Sequence, residues 1–535
     1  MAIFLNPDNA NFNEAIHSKI YVDKTGLIEY TNSVLSTTAK FICNSRPRRF
    51  GKSMTADMLC AYYSKGCDSR ELFQPYTISS CSTFEKYINQ YDVIHIDVQW
   101  CKDQVENIND IVNYIKESCM HELQNEYCNI DYNGIISLSG TLSKINDEIG
   151  HRFVVIIDEW DVLIRDNADN KKLLEEYIDF LKGLFKGSQP SRYIALAYLT
   201  GILPIKRTMT QSALNNFDEY TMLNPGPLAS FIGFTEGEVK GLSNKYNIDF
   251  DRIKKWYDGY HFGAFDVYCP WDVMNYMLEL QRDPKAKPIS YWKNTSDNAI
   301  IRSFIDYAGS TITNKLETLM AGGCIVQRVD ENLTYDYLHS SEDNLWSTLY
   351  LTGYLTKARE EDYKGELPDG MVALMIPNAE IKEIFETTVI KWFDDSTKKW
   401  NRNALFDAVW NGDSEGITKE MNALLRRTIS YHDYREDFYH AFLAGIFTGA
   451  GYMVDSNKEH GEGRSDVVVY DSINARVAIF EAKYTKVLEN LESECDIALQ
   501  QIDDRMYAKE YEDDYDQILC YGISFFKKRC MVKKK

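Results

Sequence analysis

The chain has no excess of positive charge. Its 59 lysines and arginines stand against 80 aspartates and glutamates, a formal charge of -21. Such a surface repels a polyanion at long range, so any nucleic-acid contact must be local. Cysteine forms no pattern: the twelve residues are scattered singly, with no CxxC pair and no Cys/His cluster at zinc spacing. That excludes a disulfide framework and a zinc module, and fits reduced thiols in a cytoplasmic protein. Long apolar runs are missing too. The longest, Ala441 to Val454, has fourteen residues and three glycines, short of the ~20 that span a bilayer, so no membrane partner is expected. The opening MAIFLNPDNANF has no basic region followed by an apolar stretch, and no leader is expected. There is no low-complexity segment and no short repeat. What is present is the composition of a folded protein, 44% hydrophobic and 13% aromatic with 36 tyrosines. At 535 residues the chain exceeds a single core and suggests roughly three domains.

Through the first 220 residues or so, short apolar strands alternate with helical stretches: Lys40 to Cys43, Val93 to Val98, Phe153 to Ile157 and Tyr193 to Leu199. The alternation predicts an α/β domain over residues 1–228, with a parallel sheet covered by helices. From about Phe231 the pattern turns helical with Trp/Tyr-rich turns, predicting a helical region over 229–400. The stretch Glu342 to Phe393 within it reads as winged-helix-like. Residues 401–535 read as a separate α/β domain: a helix, two strands joined by a short turn, another helix, and a last strand near Ile518 to Phe525. The basic tail Lys527 to Lys535 reads as a solvated, frayed terminus.

A phosphate-binding loop needs a buried strand, a tight turn and a helix start, so that backbone N–H groups and a lysine surround the phosphates. Phe41-Ile42-Cys43 supplies the strand and Gly51-Lys52-Ser53 the signature. A Gly-Lys-Ser tripeptide arises by chance in roughly one chain in four of this length, so context has to carry the reading. Arg46 stands where the first glycine of GxxxxGK[ST] is usual, which requires its backbone to avoid the left-handed region. Val154 to Ile157 runs into Asp158-Glu159, where an Asp can hold Mg2+ and the next Glu can orient the attacking water. Thr200 ends the next strand, in the position of a sensor of the terminal phosphate. The expected nucleotide contacts are Arg46, Arg49, Gly51, Lys52, Ser53, Met54, Asp158 and Thr200, with Ser53 and Asp158 on Mg2+ and Glu159 catalytic.

In the last domain, strand alternation over Val477 to Lys483 places Glu481 and Lys483 on one face. Asp466 opens the strand Val467 to Tyr470, and the turn Asp471 to Ala475 brings Glu481 back toward it. Converging carboxylates with a lysine are what Mg2+-dependent phosphodiester hydrolysis needs. Asp466 and Glu481 are the expected ligands, Glu436 an assisting carboxylate, Lys483 the activating cation, and Gln501 and Tyr507 the site edge. His440 and His460 read as a helix face and a loop residue, structural rather than ligands.

Several of these segments carry a resemblance. Tyr21 to Thr25 (YVDKT), the RPRRFGKS loop, Val155 to Asp161 (VIIDEWD), Leu199-Thr200-Gly201, Phe231 to Val239 (FIGFTEGEV) and Trp256 to Gly263 (WYDGYHFG) together resemble the AAA-ATPase-like family of bacterial proteins. In that family an arginine-bearing loop is normal, and similar members commonly end in a PD-(D/E)XK nuclease domain. The order Asp466, Glu481, Lys483 is similar to that motif, with Ser465 in place of its proline. The resemblance implies a P-loop ATPase followed by a restriction-endonuclease-like domain, with ATP and Mg2+ as cofactors and nucleic acid, DNA first, as the partner. A homo-oligomer is compatible, since such ATPases often receive an arginine from a neighbour. The competing reading is a nucleotide-dependent switch or binding module whose nuclease fold does not cut.

Overall fold

The computed structural model describes residues 2–205, 214–292, 315–316, 318–320, 322–330, 342–397, 403–428, 436–448, 450–460, 463–485, 487–526 and 529–535, without the side chains of 342, 389–397, 426–428, 436–438, 441, 457–460 and 463–465. Two compact units emerge, one of residues 1–291 with 326–379 and one of residues 292–325 with 380–535. No described helix is long and apolar enough to cross a membrane.

The first unit is built on strands β1 (Phe41–Ser45), β2 (Asp92–Asp97), β3 (Phe153–Asp158), β4 (Ile194–Gly201) and β5 (Asp218–Tyr220). They form a parallel sheet in the order β2-β3-β4-β1-β5. β1, β3 and β4 are buried along their whole length, which is why they read as unbroken apolar runs rather than alternating ones. The order sets β4 between β1 and β3, so the strand ending in Thr200 separates the phosphate-loop strand from the acidic one. β5 was not foreseen: it is short, only half buried and polar (DEY).

The aromatic stretch after Phe231 is not only helix and turn. It forms a second small sheet of β6 (Phe234–Thr235), β7 (Tyr260–Phe262) and β8 (Phe265–Tyr268), in the order β6-β8-β7, beside the helices Glu236–Tyr246, Phe250–Tyr257 and Pro270–Arg282. The WYDGYHFG run is thus a β-hairpin entry, and alternation on β7 sorts its side chains. Tyr260 and Phe262 pack on Phe50 of the phosphate loop at 5.0 and 5.7 Å between ring centroids, while His261 turns to Asp266 at 2.7 Å. Gly259 has φ 119°, and a Cβ there would lie 1.8 Å from the Pro377 carbonyl oxygen. Gly259→Ala is therefore expected to destabilise the first unit by about 3 kcal/mol, read as a lower urea midpoint. An unchanged midpoint would dismiss the close approach.

Further along, β9 (Ile325–Arg328), β10 (Thr356–Lys357) and β11 (Met371–Met375) make a three-stranded sheet. Over Glu342 to Phe393 the chain forms the helix Glu342–Leu351, β10, β11 and the helix Ala379–Thr397, with two short strands between the helices.

The second unit holds a mixed sheet of β12 (Met453–His460), β13 (Gly463–Asp471), β14 (Arg476–Tyr484), β15 (Gln517–Phe526) and β16 (Arg529–Lys534), in that order. All neighbours are antiparallel except β14 and β15. The crossover between that parallel pair contains the helix Leu491–Asp504. Val468, Tyr470, Val477 and Ile479 share a core with Ile502 and Tyr507. On the other face Phe480 lies 5.3 Å from Phe447 of the helix Glu436–Thr448.

Two expectations are corrected here. His460 ends a strand, paired with Gly463, rather than lying in a loop. The basic tail is not frayed: Arg529–Lys534 pairs along β15. Lys533 meets Asp496 and Glu492 at 2.7 and 3.2 Å, and Lys535 meets Asp503. Strand pairing and acidic partners on the crossover helix offset a local charge that looked free in the sequence.

Candidate functional site

In the first unit β1 delivers the chain to a turn that ends at Gly51, whose φ of 87° only glycine adopts without strain. The helix Lys52–Tyr63 starts there. Arg46 is absent from the left-handed residues, whereas Arg49 takes φ 70°, so the bulky residue avoids the forbidden region as required. Arg46 is 1% exposed. Its guanidinium donates to the carbonyls of Ser45 and Tyr220 at 2.9 and 2.7 Å and lies 4.8 Å from the Phe262 ring centroid. It thus ties the loop to β5 and the β7–β8 hairpin. Arg49 donates to the Tyr291 carbonyl at 3.4 Å and sits over Trp271. Ser53 and Met54 are exposed at the helix start.

Lys52 is buried, its ammonium donating to the Pro47 carbonyl at 2.9 Å. Burial holds its pKa below the usual lysine value, opposed by the charges of Glu159, Asp158 and Asp161. A lysine desolvated beside three carboxylates is poised to meet an anion. Thr200 donates to Asp158, which also accepts the Glu159 N–H at 3.1 Å. Asn44, beside Thr200 across β1 and β4, donates to the Tyr198 hydroxyl at 3.0 Å. Lys52, Asp158, Glu159 and Thr200 are therefore gathered at the C-terminal ends of adjacent parallel strands, where α/β sheets bind ligands. Next to the helix start lies a small cavity of about 50 Å3, walled by Tyr21, Val22, Met54, Met58, Phe234 and Met274 among others. Tyr21, Val22 and Phe234 belong to the YVDKT and FIGF runs, while Met58 and Met274 escaped the sequence reading.

Arg165 was also missed. It donates to Glu159 at 2.5 Å and pairs with Asp161 at 3.4 Å. Its signal was the four-residue spacing from Asp161, which places the two on one helical face.

In the second unit the β13–β14 hairpin brings Asp466 to the Glu481 strand, where the Ala482 N–H donates to Asp466 at 2.8 Å. Lys483 lies 3.2 Å from Glu481. Glu481 is 0% exposed, and its Oε2 has no hydrogen-bond partner among the described residues. Its carboxyl is pushed up to about 7 by burial and then by the Asp466 charge, with Lys483 and His440 opposing. Gln501 hydrogen-bonds Tyr507, whose hydroxyl is raised by burial and feels the charges of Glu481 and Asp466. His440, read as a structural residue on a helix face, is buried on the helix Glu436–Thr448, with Nε2 3.2 Å from Asp466. No spacing rule singles out a lone histidine on an apolar helix; the contact is purely tertiary. Glu436 opens that helix, but its side chain, like that of Ser465, lies outside the described ones.

One further acidic group, Glu236, Asp258 and Asp266, brings carboxylates within 4.8 Å of each other. Lys240, Lys254 and Arg359 lie against it at 2.5, 2.6 and 3.1 Å, which makes it an ion-pair network rather than a site.

Comparison with known proteins agrees with this division. Residues 10–210 match a family model described as a predicted AAA-ATPase, and residues 434–535 match one described as the PD-(D/E)XK nuclease superfamily. A curated Azotobacter chroococcum mcd 1 protein, described as an uncharacterized protein in the vnfD 5'region, is 23% identical over 518 residues, covering 94% of this chain and 92% of its own. Among solved structures, the ORC2 protein of Aeropyrum pernix in ADPNP–ADP complexes is 11% identical with a TM-score of 0.29, over 74% of this chain and 100% of that one. PCH-2 of C. elegans is 10% identical with a TM-score of 0.22, over 56% and 66%. Superpositions that loose carry no argument. What the family matches, the parallel sheet and the mixed sheet establish together is a predicted AAA-ATPase domain in the N-terminal part of the chain and a PD-(D/E)XK nuclease superfamily domain at its C-terminal end.

Proposed function

We propose that this protein is a Mg2+-dependent nuclease acting on DNA under the control of bound ATP. The observation that carries the proposal is the buried Glu481, with one carboxylate oxygen lacking a donor among the described residues and Asp466, His440 and Lys483 close by. A buried carboxylate oxygen without a partner is costly, and an oxygen-rich donor set of this kind fits a hard divalent cation. Asp466 and Glu481 would hold Mg2+, which supplies charge stabilisation at the scissile phosphate and a more acidic water. Lys483 steadies the nucleophile and the developing charge. His440 orients Asp466 through its 3.2 Å contact, Glu436 assists, and Gln501 with Tyr507 lines the edge.

In the ATPase domain Lys52 meets the β- and γ-phosphates, Ser53 and Asp158 would hold Mg2+, Glu159 orients the attacking water and Thr200 reads the terminal phosphate. Met54 contacts the nucleotide at the helix start, and Gly51 and Arg49 shape the loop with Arg46. The test is incubation of plasmid and single-stranded DNA with Mg2+, with and without ATP, beside Glu481→Ala. Cutting by the wild type alone supports the proposal; intact DNA in every condition overturns it.

The Glu481 carboxyl makes the metal site pH-dependent. Its folded pKa of about 7 exceeds the ordinary 4.5, so without a divalent ion the second unit loses stability as pH rises through that window. The unfolded chain gives up the proton sooner there. Mg2+ needs the ionised form, so its affinity is expected to rise by about tenfold per pH unit below 7 and level off above. Calorimetric titration at graded pH reads this slope, and Glu481→Gln removes it. A flat wild-type profile would discard Glu481 as a ligand.

A further inference from the structure

The carboxylate proposed to orient the attacking water already has a partner. Glu159 holds φ 52° at the end of β3, and its Oε2 accepts from Arg165 NH2 at 2.5 Å. The Arg165 side chain is 5% exposed, that of Glu159 23%, so solvent does little to weaken the pair. On its other side Arg165 pairs with Asp161 at 3.4 Å, a fully buried residue. Asp161 is in turn fixed from β4, because its Oδ2 accepts the N–H groups of Ile202 and Leu203 at 3.0 and 2.8 Å. Those residues follow Thr200-Gly201 directly, and the Gly201 carbonyl accepts from the Arg46 N–H at 3.0 Å. A continuous chain of contacts therefore runs from the phosphate loop and the end of the Thr200 strand, through Asp161, to the guanidinium that holds Glu159.

We infer that Arg165 is a positioning residue that restrains Glu159, withholding its carboxylate from water until the end of β4 shifts Asp161 and opens the pair. The inference rests on the ATP-hydrolysis reading above. In that reaction a water oxygen bonds to the terminal phosphorus, Glu159 accepts the water's proton, and the anhydride P–O bond breaks with its electron pair leaving on ADP. A carboxylate oxygen already accepting a charge-assisted hydrogen bond is a poor partner for that water.

The test uses the full chain and follows ATP binding by fluorescence of a labelled nucleotide and turnover by phosphate release. Arg165→Met in an Asp161→Asn background removes the restraint without stranding a buried charge. Arg165→Lys, which keeps one charge but loses the planar fork, serves as the second variant. In the double variant kcat is expected to rise by roughly tenfold over Asp161→Asn alone, with KM and nucleotide affinity unchanged, and Arg165→Lys is expected to lie between. Adding Glu159→Gln should cancel the gain. A merely structural arginine would lower kcat when replaced, so an unchanged or reduced kcat with binding intact overturns the inference. Failure of the wild type to bind ATP would instead remove the ATPase reading on which it stands.

Discussion

Glu481→Ala is expected to abolish phosphodiester cleavage, lowering the rate by roughly three decades, while ATP binding in the other domain stays at the wild-type level. The size follows from position. Glu481 is fully buried, has an oxygen without a partner among the described residues, and shares its surroundings with Asp466 and Lys483, so alanine removes the proposed metal ligand. The substitution also removes an unfavourable buried acid, so the variant should be no less stable than the wild type without metal and should lose the stabilisation that Mg2+ confers. Thermal melts with and without Mg2+ separate a dead site from a damaged fold. A variant that still cuts at more than a tenth of the wild-type rate would remove Glu481 from the site.

Lys52→Ala carries the second large effect, a loss of triphosphate affinity of roughly 100-fold. Lys52 is buried beside Asp158, Glu159 and Asp161, so its ammonium offsets acids that would otherwise repel the phosphates. Alanine takes away the attraction and leaves the repulsion. Glu159→Gln should behave in the opposite sense, keeping or tightening binding while stopping hydrolysis. Under the proposed control, Lys52→Ala alters cutting only where ATP alters it in the wild type. Direct titration with a labelled nucleotide reads the first effect, and affinity within threefold of the wild type would withdraw the loop assignment.

Much of this was legible because buried parallel strands cannot hide. β1, β3 and β4 have no solvent-facing residues to interrupt their apolar runs, and each ends in a polar residue, Ser45, Asp158 or Thr200 beside Gly201, just where the sheet meets its ligands. The Asp466 and Glu481 hairpin was visible for a related reason, since β14 is apolar up to its functional end. What escaped were strands at sheet edges. β5 reads DEY, β12 reads MVDSNKEH and β16 reads RCMVKK; each has a side open to solvent, so polar residues cost little and the strand signal fades. WYDGYHFG was read as turns because its strand is three residues long and takes its alternation from Phe50, far off in sequence, and from Asp266 across the hairpin. His440 was read as structural, its approach to Asp466 existing only in tertiary contact, and Arg165 was missed, although the Asp161 to Arg165 spacing was there to be seen.

The pairing of β16 with β15 changes what a deletion experiment would mean. Trimming the lysine-rich terminus is the obvious way to ask whether it grips a nucleic-acid backbone. Yet removing Arg529 to Lys534 strips the outer row from the sheet and leaves the β15 hydrogen-bonding groups open to any other strand in solution. The shortened protein would tend to precipitate, and its lost activity would be mistaken for lost DNA affinity. Exchanging Lys533 and Lys535 for glutamine leaves the backbone ladder in place and puts the question to charge alone.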